Sequence, residues 1–135
     1  MASVRKLLAA SDFSKGAESA VRRAATLACH WQAGLEIVHA LQAPPADATW
    51  RRLAEEGGLT EHRLLERIDF RLRELAAGIE HRVGVRPAVH VQQGRPAQAV
   101  TDRAREQAVD LIVVGAHGER FLLDIFVGAT ALKIL

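Results

Sequence analysis

The stretch Asp110-Leu111-Ile112-Val113-Val114-Gly115-Ala116-His117-Gly118 decides the fold. Its apolar core is short and continuous rather than alternating, and it runs directly into a glycine-bounded loop. That pattern reads as a strand buried on both faces, the kind found in parallel sheets between layers of helix. Working outward, Leu7-Leu8-Ala9-Ala10 is a second such run, ending in Ser11-Asp12-Phe13-Ser14. Leu35 to Leu41 is a third, followed by Pro44 and Pro45, and Val85 to Val91 is a fourth, with Pro87 near its start.

Between these runs the period changes. From Lys15 to Trp31 the apolar residues Ala17, Ala20, Val21, Ala24, Ala25, Leu27 and Ala28 follow helical spacing, with Ser14 as N-cap and Gly34 as stop. A long segment from about Asp47 to Glu80, broken near Gly57-Gly58, places Leu64, Leu65, Ile68, Leu72, Leu75 and Ile79 on one helix face. Packing on a sheet explains that stripe better than a partner-binding groove. Pro96 to Gln107 reads as a helix with its proline in the first turn, and a last helix is expected from about Gly128. Strand and helix therefore alternate throughout. The prediction is one α/β domain over residues 1–135: an open parallel sheet with helices on both faces, Rossmann-like.

Composition agrees with this and narrows the function. The chain has 135 residues, 49% hydrophobic and 25% charged, which suits one globular domain and excludes a disordered tail or a collagen-like repeat. Bases number 18 and acids 16, and the arginines are spread along the chain, so no basic stripe marks a nucleic-acid face. No apolar run is long enough to span a bilayer, and no signal peptide is legible. A cytoplasmic protein is expected, with no membrane or nucleic-acid partner. The single cysteine, Cys29, cannot make an internal disulfide and is expected as a buried small hydrophobe of the first helix.

In open parallel sheets, ligands bind beyond the carboxyl ends of the strands, where the strand order switches. The residues there are Ser11-Asp12, His39-Ala40, Gln92-Gln93-Gly94 and Gly115 to Gly118. Glycines after a buried strand let backbone approach a ligand. A helix opening near Gly128 would present free amides to phosphate. Gly115 and Gly118, two residues apart, are followed after nine residues by Gly128-Ala129-Thr130.

The sequence resembles the universal stress protein family over nearly its whole length. The similarity is carried by Leu7 to Ser14, Ile37-Val38-His39-Ala40, Gly94-Arg95-Pro96-Ala97, Asp110 to Gly118, and the full glycine spacing of the family's nucleotide-binding members. The resemblance implies an adenine-nucleotide α-hydrolase-like fold and a stress-response module that binds ATP, with or without Mg, or a related adenine nucleotide. It assigns Asp12 to the ribose, and Ser11, His39 and Ala40 to the surroundings of adenine. Gly115 and Gly118 would lie under ribose and phosphates, and Gly128, Ala129 and Thr130 would hold phosphate. His117 lies in the same loop and could touch phosphate or ribose. The family commonly dimerises through a fifth, edge strand, and a homodimer is the expected assembly. Because the chain stops at Leu135, inside the expected last helix, that strand is expected to be missing.

The alternative is a nucleotide-free stress-linked dimerisation or interaction protein of the same fold. Ala129 where the motif has serine or threonine, Glu119 after Gly118, and the bulky Phe121-Leu122 motivate it. Enzymes are the weakest class. There is no G-x-x-x-x-G-K-[ST], no G-x-G-x-x-G after the first strand, no G-x-S-x-G elbow and no H-E-x-x-H. No catalytic or metal-binding residue is assigned; at most slow ATP hydrolysis is expected, for which Asp124 could serve as a remote metal contact.

Overall fold

Leu7, Leu8 and Ala9 are wholly inaccessible to solvent, which places strand β1 (Lys6–Ala10) in the middle of the sheet. The chain continues through α1 (Lys15–Trp31), β2 (Gly34–Leu41), α2 (Glu61–Val83), β3 (Ala88–Gln93), α3 (Pro96–Glu106), β4 (Leu111–Gly115) and β5 (Ala131–Ile134). This computed structural model describes residues 4–42, 52, 56–57, 61–115 and 131–134. The five strands are ordered β3-β2-β1-β4-β5 and every pairing is parallel. Strands are added on one side of β1 as far as β3 and then on its other side from β4. The order therefore reverses between β1 and β4, and the expected ligand position lies beyond the carboxyl ends of these two strands.

Register sorts the side chains by face. Leu7 pairs with Leu35 and Leu111, and Ala9 with Ile37 and Val113. These residues share one face and pack under α1 and α2 with Ala20, Val21, Ala24, Leu72 and Ile79. Leu8, Ala10, Val38, Ile112 and Val114 alternate to the other face, under Val100 and Ala104 of α3. Each fully buried leucine or isoleucine contributes about 2 kcal/mol. The buried side of α1 is almost all alanine, which lets that helix sit close to the sheet.

Two polar ties close the frame. Glu36 lies on the α3 face and accepts two hydrogen bonds from the Arg103 guanidinium, at 2.6 and 2.9 Å, with both side chains largely buried. This pairing raises the Arg103 pKa. At the opposite end from the candidate site, one Asp110 carboxylate oxygen accepts the backbone N–H groups of Arg5 and Lys6 at 2.9 and 3.0 Å. It joins the start of β4 to the start of β1.

Three expectations are corrected. Residues 131–134 form a strand and not part of a final helix, so the sheet has an edge strand beyond β4, paired Ile112↔Ala131 through Gly115↔Ile134. Four residues, Ala131-Leu132-Lys133-Ile134, are too few for periodicity to separate helix from strand. Pairing gives the backbone groups on that side of β4 their partners. The third strand in sequence starts at Ala88 and not Val85. Gly84, at φ 83°, ends α2, and Pro87 has no N–H to give a ladder. Finally, Cys29 is exposed. It is the neighbour of buried Ala28 on α1, one position off the buried stripe.

Candidate functional site

The chain leaves β1 in a tight turn made from its own polar side chains. Ser11 is buried, and its N–H donates to the Val38 carbonyl at 2.9 Å, one step beyond the strand. Its Oγ accepts the Phe13 N–H at 3.1 Å. Asp12 Oδ1 accepts the Ser14 N–H at 2.9 Å. Ser14 then caps α1, its Oγ accepting the Ala17 N–H at 3.2 Å. Capping therefore belongs to Ser14, and Asp12 shapes the turn before it with one carboxylate oxygen. Among the described residues no hydrogen bond engages the other oxygen.

Phe13 holds φ at 65°, the left-handed region, at a cost of about 1–2 kcal/mol for a residue with a Cβ. Its ring stacks on His39, centroids 4.8 Å apart, and the Arg71 guanidinium carbon from α2 lies 4.0 Å from its centroid. His39 Nδ1 is 2.8 Å from the Ser11 carbonyl oxygen. A carbonyl only accepts, so Nδ1 carries the hydrogen, and in the neutral ring Nε2 is an acceptor. Burial lowers the His39 pKa, opposed by the Ser11 hydrogen bond and the Asp12 charge and aided by the nearby Arg71.

Ser11, Asp12, His39 and Ala40 come together, as their positions in the sequence predict. With Ala10, Val38 and Ala17 they line a small cleft at the ends of β1 and β2. Pro96 and Val100 of α3 complete it. Gly94, at φ 132°, turns the chain from β3 onto α3, and no side chain caps the first turn of that helix. The cleft is therefore walled by α1 on one face of the sheet and α3 on the other. A wider groove, about 350 Å3, runs between α1 and α2 beside Phe13 and Arg71. Helix side chains line most of that groove, whereas the smaller cleft is lined by the carboxyl ends of the strands and is the better candidate.

Gly115 closes β4 with a role of its own. A Cβ there would stand 2.8 Å from the Gly16 carbonyl oxygen and 2.9 Å from its carbon. Its first duty is close backbone packing of β4 against the start of α1. His117, Gly118, Gly128, Ala129 and Thr130 lie outside the described residues, as do Glu119 and Asp124. The sequence reading did not include Phe13, Arg71, Pro96 or Val100 in the site. Pro96 was within reach, since it follows the turn after β3. Arg71 was not, because its contact with Phe13 spans separate elements.

The family model described as the universal stress protein family matches residues 3–135. The chain belongs to the universal stress protein family. Among solved structures, universal stress protein UspA from Lactobacillus plantarum matches with a TM-score of 0.79 at 18% identity, covering 100% of both chains. The universal stress protein from Archaeoglobus fulgidus in complex with dAMP matches at 0.72 and 19% identity, again over 100% of both. A universal stress protein in complex with cAMP matches at 0.67 and 20% identity, covering 99% of each chain. At these identities the structural likeness speaks for the fold of this universal stress protein. No curated protein matches the chain in sequence.

Proposed function

We propose that this universal stress protein binds an adenine nucleotide, ATP or a relative, in the cleft above β1, and acts as a nucleotide-dependent signalling module. The observation that carries the reading is Asp12. One of its oxygens holds the turn, and Asp12 lines the cleft at the carboxyl end of β1, one of the two strands that flank the strand-order reversal. A carboxylate in that place can accept hydrogen bonds from ribose hydroxyls, as acidic residues do in dinucleotide sites. The small side chains of Ala10, Ala17 and Ala40 leave room for a flat base against backbone. Two fold relatives are described as complexes with dAMP and cAMP, which supports an adenine base as the ligand's head.

Phosphates would extend toward Gly115 and the residues that follow it in the chain, with Gly118, Gly128, Ala129 and Thr130 as their holders. Among the described residues no cluster of His, Cys, Asp or Glu is arranged to hold a metal ion, so Mg would arrive on the phosphates. ATP would serve as a bound signal, turned over slowly if at all. The same proposal includes a homodimer through the sheet edge formed by β5, and a cytoplasmic setting. No helix among the described residues is long and apolar enough to cross a membrane.

Calorimetric titration with ATP, with and without Mg, tests this, together with mass analysis of small molecules released on denaturation. Saturable binding or co-purified nucleotide is the expected result. Silence in both, from folded protein, would favour the nucleotide-free interaction module that Ala129 and Glu119 motivate.

A further inference from the structure

Phe13 touches both hollows. Its ring stacks on His39, which lines the cleft, and carries the guanidinium of Arg71, which lines the α1–α2 groove. We propose that Phe13 and Arg71 are positioning residues for the cleft: Arg71 holds the Phe13 ring, and the ring braces His39 and the Ser11–Ser14 turn that presents Asp12. The inference rests on the nucleotide reading of the cleft and adds to it two residues from outside the strand ends.

Four observations converge on this. The backbone of Phe13 sits at positive φ, a conformation that persists only where the surroundings over-determine it. The surroundings here include the main hydrophobic core, against which Phe13 packs, the Ser11 hydroxyl on its N–H, His39 against its ring and Arg71 near the ring centroid. His39 is in turn tied to the carbonyl of Ser11, so ring, imidazole and turn form a closed loop of contacts. Asp12 lies inside that loop, between Ser11 and Phe13, with its carboxylate on the Ser14 N–H. Arg71 is exposed, and its guanidinium lies over the Phe13 ring. The charged groups acting on His39 are Asp12 and Arg71.

The test compares wild type with Arg71→Met, Arg71→Lys, Phe13→Leu and the Phe13→Leu/Arg71→Met double variant, with thermal melts as a control for folding. NMR of the nucleotide-free protein reads the His39 ring signals and the Asp12 and Ser14 amides; calorimetry reads ATP affinity. Both Phe13→Leu and Arg71→Met should move the His39 and Ser14 signals. Arg71→Met should weaken ATP about threefold, the size expected of an exposed cation–π contact, and Arg71→Lys should recover most of it. Because Arg71 acts through the ring, the double variant should bind no worse than Phe13→Leu alone. Unmoved His39 and Ser14 signals, unchanged ATP affinity in both single variants, or losses that multiply in the double variant would each overturn the proposal. If wild type binds no ATP while the signals move, the nucleotide reading falls and the pair stands as the brace of the turn.

Discussion

The two sides of the cleft region are built from different materials. On the β1–β2 side the geometry is made by side chains: Ser11, Asp12 and Ser14 bond to nearby amides, and His39 bonds back to Ser11. On the β4 side it is made by backbone alone, with Gly115 packed against Gly16 where no Cβ fits. The first side can be retuned by substitution, since each bond is a separate contribution. The second is all or nothing, because its contact is between main chains that cannot turn away. A nucleotide site benefits from both: a rigid floor under the reversal point, and adjustable polar groups beside it.

The sharpest way to break this contrast is Gly115→Ala. A methyl group 2.8 Å from a carbonyl oxygen must push β4 from α1, and overpacking of that kind costs about 2–3 kcal/mol. Chemical denaturation should show it as a lower midpoint; a wild-type midpoint would mean that this wall yields. Asp12→Asn probes the other wall, keeping an acceptor for the Ser14 N–H while removing the charge. ATP affinity should fall about tenfold, ~1.4 kcal/mol, with little change in melting temperature. A large loss of stability instead would make Asp12 a structural residue first. Ser14→Ala removes the cap of α1 and should lower stability by about 1 kcal/mol, measured in the same denaturation series.

The smallest expected effect is the pH response of His39. Its folded pKa lies below 6.5, chiefly through burial, so between that lower value and 6.5 the unfolded chain binds more protons than the folded one. The contribution is present above 6.5 and is lost as pH falls through the folded pKa. Stability measured from pH 7.5 downward should decline over that window, and His39→Asn, which retains an N–H donor for the Ser11 carbonyl, should flatten this part of the curve. An equal slope in both proteins would assign the decline to other groups.

Much of the fold was legible in local pattern. The apolar runs at Leu7–Ala10 and Leu111–Val114 correspond to β1 and β4 because burial on both faces demands unbroken apolar residues. Pro96 opens α3 because its fixed φ and missing N–H suit the first helical position. Cys29 shows the limit of such reading, since a shift of one residue along α1 separates buried Ala28 from an exposed thiol. The fifth strand shows another, as four residues carry no usable period and only the open edge of β4 decides their state.

For the site, the amino-acid sequence by itself determined which residues stand at the strand ends: alternation of strand and helix brings Ser11, Asp12, His39 and Ala40 to one edge. Tertiary structure alone decided what each does there. Whether Asp12 caps a helix or faces a cleft depends on Ser14 taking the cap, and whether Gly115 serves a ligand or a helix depends on how near Gly16 lies. The stack of Arg71, Phe13 and His39 joins residues from α2, the turn after β1 and the end of β2. Contacts of that kind have no period or spacing in the chain, because they are set by the distance between packed elements and not by the steps along any one of them.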